Sequence, residues 1–225
     1  MKIVNEWRSA FRNPAFRAQF VVSIVVLAVI LPLMGSFLNY IGARMGVELH
    51  DPILRLFRPI GFKWITFSLI YSGIVLGFVS LLVSPFSLLL ALRALSLIII
   101  LRAICLFLVP LDPPSDGIPL VDPLIRFPGI RPVLPRDLFF SWQTALMTLF
   151  ALTARWRDMK IIFSGIAFVV SLLLLLQHSH YTIDLVVAPC LAYAAYGIAK
   201  QFTLLEYIAS PARTSAVRPT MARQQ

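Results

Sequence analysis

The sequence predicts an all-α membrane protein, a bundle of six transmembrane helices with both termini in the cytoplasm. Three observations carry that expectation. Of the 225 residues, 59% are hydrophobic and 13% charged, with a mean hydropathy of +0.86, far from the roughly 45–50% apolar content of a soluble domain. The apolar residues gather into six runs, at about 20–38, 64–83, 88–110, 138–154, 161–176 and 181–199, where about 20 apolar residues suffice to cross a bilayer. Finally, Lys and Arg fall unevenly on the two sides that six crossings would define.

The runs are taken in chain order. The first exceeds the h-region of a signal peptide, about 7–15 residues, and no small-x-small cleavage site follows it, so it is expected to stay in the mature protein. The second is uninterrupted, whereas Arg93 and Arg102 fall inside the third. The fourth and fifth are short for spans, and the sixth follows the polar stretch "QHSHYTID" at 177–184. This divides the chain into a cytoplasmic segment at 1–19, a six-span membrane domain at 20–200 and a cytoplasmic tail at 201–225. The tail "SPARTSAVRPTMARQQ" has no apolar period and is expected to be disordered. Cys105 and Cys190 lie in apolar runs without metal-ligand spacing and read as small core residues.

An even number of spans puts both ends on one side. That side would hold Lys2, Arg8, Arg12, Arg17, Arg93, Arg155, Arg157, Lys160, Lys200, Arg213, Arg218 and Arg223. The other would hold Arg44, Arg55, Arg58, Lys63, Arg126, Arg131 and Arg136, with Arg102 inside the membrane. The positive-inside rule makes the richer side cytoplasmic. The net charge of +10 therefore reads as topology and attraction to anionic lipid headgroups, not as nucleic-acid binding. Between the third and fourth runs, "LDPPSDGIPLVDPLIRFPGIRPVLPR" is dense in Pro and belongs to the external side, as a stiff lid or rim.

Ionisable groups within spans are expensive and mark candidate functional sites. His180 and Asp184 are four apart, so on a helix they share a face, where the carboxylate accepts from one imidazole nitrogen and leaves the other open. Such a pair serves either as an oriented nucleophile or base or as an interfacial histidine fixing a helix end. His178, two residues earlier, would lie on the opposite side of a continuous helix. The i, i+2 spacing of the histidines splays them, so a metal is not expected. Arg102 in "LIIILRAICLFLVP" needs a carboxylate or phosphate partner. Asp137 or Asp184 could be that carboxylate. In "PRDLFFSWQTALMTLF", Asp137, Ser141, Thr144 and Thr148 form one polar stripe, which either serves a site or glues helices together.

Three of these segments together resemble the sphingomyelin synthase branch of the type 2 phosphatidic acid phosphatase superfamily, six-span enzymes acting on lipid phosphoesters. "HYTIDLVVA" resembles the family's final motif, "RDLFFSWQT" its preceding G-D-x-x-x-S-G-H-T motif, and "RALSLIIILRAICLFLVPLDPP" its arginine-bearing third span. The likeness covers about residues 85–200. It implies that His180 attacks phosphorus, Asp184 orients it, and Arg102, with Tyr181 and the residues of the fourth span, binds the substrate. The sequence departs from the pattern at the family's acid histidine, which is Gln143 here, and at the glycine before it, which is Trp142. Leu174 replaces an arginine of the older phosphatase signature six residues before His180. An amide gives up no proton at neutral pH, so Gln143 would hold a phosphate oxygen with Arg102 but not act as the acid, and losing a general acid costs about 10² to 10⁴ in rate. His178 is the nearest substitute for that acid.

The expectation is thus a lipid phosphotransferase or phosphatase of the cell membrane, working at the external leaflet without a cofactor. The alternative is a non-catalytic relative that binds lipid headgroups as scaffold, carrier or regulator. Membrane lipids are the expected partners in either case.

Overall fold

The computed structural model describes residues 2–118, 120 and 138–209, with side chains described for 3–203 of these. Among the described residues there are seven α-helices: α1 Lys2–Arg12, α2 Pro14–Ala43, α3 Lys63–Leu82, α4 Pro85–Leu108, α5 Trp142–Thr153, α6 Arg157–Leu176 and α7 Thr182–Ala209. A 3-10 turn spans Leu54–Leu56, and two short strands, β1 Val47–Glu48 and β2 Leu111–Asp112, pair in parallel.

Local chemistry sets the helix starts. Asn13 accepts from the Ala15 N–H ahead of α2, and Ser84 accepts from Ser87 ahead of α4, each followed by proline in the first turn. Five helices, α2, α3, α4, α6 and α7, are long and apolar enough to cross a membrane. The chain is therefore an all-α, multi-pass membrane protein. The fourth apolar run instead yields α5, only 12 residues long. At 1.5 Å per residue α5 rises about 18 Å, against about 30 Å of hydrocarbon.

Two arginines and a cysteine need reassignment. Arg93, counted with the cytoplasmic charges, lies within α4, where it donates to Ser23 of α2 and to Thr203 of α7. Neither it nor Arg102 interrupts the helix. Cys190, expected in the core, is exposed. The N-terminal segment carries α1, and α7 runs past residue 200 to Ala209, into the stretch expected to be a disordered tail. Residues 210–225 and most of the proline-rich loop lie outside the described residues.

Short as it is, α5 sits at the centre, packed against α3, α4, α6 and α7. Ala188, Ala192, Ala195 and Ala199 make a fully buried stripe along α7, facing Ala94 and Ile98 of α4 and Ala145 and Leu149 of α5. Lipid tails are as apolar as leucine, so helices in a membrane gain little from hydrophobicity alone. Small residues that let backbones approach supply the van der Waals contact.

Candidate functional site

The polar stretch "QHSHYTID" is the connection between α6 and α7. It is not a continuous helix, as the i, i+4 reading of His180 and Asp184 assumed. α6 ends in a Schellman motif: Ser179 N–H reaches Leu174 O at 3.2 Å and His178 N–H reaches Leu175 O at 2.9 Å. His178 takes the left-handed position of that motif, with φ 52°. The last carbonyls of α6 are satisfied from other segments, Leu176 O by Ile60 N–H at 2.8 Å and Gln177 O by Ile118 N–H at 3.0 Å. Gly117 permits the second approach, since a Cβ there would stand 2.5 Å from His178 O.

His180 precedes α7, yet the pair meets, because Asp184 in the first turn of the helix points back over its own start. The His180 Nδ1–H donates to Asp184 Oδ2 at 3.1 Å, and the Tyr181 N–H donates to the same oxygen at 3.1 Å. The second bond is half of a capping box. Asp184 thereby orients an imidazole and caps a helix at once. With Nδ1 as donor, a neutral His180 has its lone pair on Nε2, which bonds to no group among the described residues. Asp184 is fully buried and His180 is 8% exposed.

The surrounding polar residues brace this turn. The Tyr181 hydroxyl donates to Asp112 O at 2.8 Å and accepts from Leu49 N–H at 3.1 Å, fastening the turn to β1 and β2. Asp51, which sequence reasoning did not single out, accepts from Thr182 N–H at 2.7 Å and from Ile53 N–H at 2.9 Å. Burial raises the Asp51 pKa, but those two N–H groups, with the Thr182 hydroxyl and Leu54 N–H, outweigh it and hold the carboxyl below its ordinary value. The Asp51–Pro52 pair signalled a local turn, but nothing in sequence announced a partner 131 residues away. His178 has a carboxylate of its own, Asp116 Oδ2 at 3.0 Å from Nδ1, and its ring stands edge-on to Phe57.

Arg102 and Trp142 form a second group. The guanidinium carbon lies 5.4 Å from the indole centroid, within cation–π range. Asp184 does not pair with Arg102, since its bonds go to His180 and Tyr181. Asp137 lies outside the described residues. The polar stripe of α5 is largely helix glue: Ser141 caps the helix, and Thr144 joins it to Ser171 of α6 at 2.9 Å. Thr148 bonds back to Thr144 O. Gln143, in the first turn of α5, is half-buried, and its side chain forms no hydrogen bond among the described residues. Phe139, just before the cap, is held at φ 82°, a strained state for a bulky residue.

Two features link the groups. Leu138 packs with Tyr181 in one buried cluster, and Phe140 packs against the alanine stripe of α7, so the entry to α5 is held against the start of α7. Among the described residues, three polar atoms within 177–184 are buried without a protein partner, namely Gln177 Oε1, His178 Nε2 and Asp184 Oδ1. Buried polar groups ordinarily find a partner in protein, water or a bound ion. Among the described residues no three His, Cys, Asp or Glu side chains converge as metal ligands.

Comparison of the chain with protein-family models, curated proteins and solved structures yields no match.

Proposed function

We propose that the chain is a lipid phosphotransferase or lipid phosphate phosphatase, with His180 as nucleophile at the external leaflet of the cell membrane. One observation carries this reading: His180 is oriented through Nδ1 by a buried carboxylate and keeps Nε2 clear of bonds to the described residues. In the proposed reaction Nε2 attacks phosphorus, a P–N bond forms as the P–O bond to the lipid alkoxide breaks, and the alkoxide takes up a proton. Water or an acceptor alcohol then displaces the histidine. Asp184 holds the tautomer and stabilises the charge that grows on the imidazole. Arg102 would bind phosphate oxygens.

Topology is part of the proposal. The uneven Lys and Arg count supports cytoplasmic termini, and α5, entered through a segment in which Leu138, Phe140 and Ser141 are buried, would be the sixth crossing. Non-helical backbone at membrane depth is tolerated where protein buries it.

A second reading, a lipid-binding relative without turnover, is favoured by two residues. Gln143 supplies no acid, and Trp142 lays its indole on Arg102, where phosphate would bind. Release or transfer of labelled headgroup by the purified protein, beside His180→Ala, separates the two. Turnover lost in the variant is the expected result. No turnover above the variant on any phospholipid or lipid phosphate would leave the binding reading. Should the protein turn over, His178→Asn, which tolerates the left-handed backbone, tests the substitute acid: unchanged turnover dismisses His178 from that role. Gln143→His with Trp142→Gly is expected to raise turnover by about 10² or more if only the acid is missing.

A further inference from the structure

Helix α1 turns one side to the bundle and leaves another open. The Trp7 Nε1–H donates to Leu82 O, at the end of α3, at 2.8 Å, and Glu6 pairs with Arg155, just after α5, at 2.7 Å. Ala10 is buried with Phe16 of α2 and Leu89 of α4. Val4 and Phe11, seven residues apart and so on one side of the helix, are 60% and 38% exposed. We propose that α1 is an interfacial helix that binds anionic phospholipid, with Val4 and Phe11 at the edge of the hydrocarbon and Arg8 and Arg12 on headgroup phosphates.

Depth argues for a membrane surface. The partners of α1 are the end of α3, the first turns of α2 and α4, and the connection between α5 and α6. It therefore lies across one end of the bundle and not along a span. Ring contacts set its level: the Trp7 and Phe11 centroids stand 6.2 and 5.5 Å from that of Phe20. Phe20 opens the apolar run of α2, three residues after Arg17. α1 is thus level with the point where α2 passes from charged to apolar residues, the depth that amphipathic aromatic side chains favour.

Charge argues that the surface is anionic. Glu6 is the one carboxylate of α1, and Arg155 neutralises it. Arg8 and Arg12 are exposed and form no side-chain hydrogen bond or ion pair among the described residues. Val4, Arg8 and Arg12 succeed one another at intervals of about one turn, so the cations border the open apolar side. Arg17, Arg157 and Lys160 are exposed at the same end, with Asp158 as the carboxylate among them. An apolar helix face edged by cations matches the boundary between acyl chains and anionic headgroups. The seat uses none of Arg102, His180 and Asp184, and it stands whether or not the chain catalyses a reaction.

The test uses the full chain in phosphatidylcholine nanodiscs doped with phosphatidylglycerol that carries a diazirine near the glycerol end of one tail. Adducts are expected on α1, at Val4 to Arg12. Unlabelled phosphatidylglycerol should suppress them about tenfold better than phosphatidylcholine, and added salt should narrow that preference. Arg8→Gln combined with Arg12→Gln should abolish the preference, and Lys63→Gln, at the opposite end of α3, should leave it unchanged. Phosphatidylcholine competing as well as phosphatidylglycerol would overturn the proposal. So would an α1 free of adducts, or cross-links joining two copies of the chain through α1. The mapping and competition use the unaltered protein, so a variant that fails to fold does not decide the outcome.

Discussion

Asp184 does two jobs with one oxygen, and substitutions separate them. Asn in its place keeps an oxygen for the Tyr181 N–H but is no longer the anion that holds and stabilises His180. Asp184→Asn is therefore expected to leave the fold intact and lower turnover by about 10² to 10⁴, while Asp184→Ala also costs about 1–2 kcal/mol of stability through the lost cap. Thermal unfolding beside the headgroup assay reads both effects. Asp51 offers a test in pH. Its carboxyl lies below its ordinary value when folded, so the stability it contributes is fully present above the unfolded pKa of about 3.9. That stability is lost as the pH falls through the lower folded value. Unfolding compared at pH 7 and pH 3 should show Asp51→Asn less stable by about 1–2 kcal/mol at pH 7, with the difference narrowing at pH 3. A constant difference would deny the Asp51–Thr182 clamp.

At the scale of elements, α5 is the feature on which the site depends. Its N-terminus opens inside the bundle, so backbone N–H groups that a longer helix would spend on the preceding turn are available there, next to Arg102 and Trp142. Ser141 is fully buried and satisfies one of them. Ser141→Ala is expected to cost about 0.5–2 kcal/mol, seen as a lower unfolding temperature. The turn after α6 shows how a helix end makes a site: the Schellman motif reverses the chain and leaves His178 and His180 on separate carboxylates, Asp116 and Asp184. The i, i+4 spacing pointed to the right pair, although a capped helix start and not a helix face joins it.

For the whole molecule, the approach of α3 to α5 is set by two glycines. A Cβ on Gly73 would meet Met147 Sδ at 2.6 Å, and one on Gly77 would meet the Phe150 ring at 2.5 Å. Met147 is fully buried and has side-chain freedom to shift, whereas the ring is held against Phe163. Gly77→Ala is expected to destabilise by about 1–3 kcal/mol through overpacking. Gly165→Ala, where nothing lies within 4 Å of the added Cβ, is expected to be neutral or to stabilise by up to about 1 kcal/mol through helix propensity. Denaturation in one detergent compares them directly, and equal effects at both sites would remove the packing account.

Composition and the apolar runs by themselves determined that this is a helical membrane protein, because a backbone in lipid must satisfy its own hydrogen bonds and a helix of sufficient length does so locally. The same locality made the His180–Asp184 pair legible, since it joins residues four positions apart. Only the tertiary structure decided that Asp51 and Asp116 brace the turn and that Arg102 faces Trp142. These features come from segments far apart in sequence, and their partners are chosen by how the helices pack.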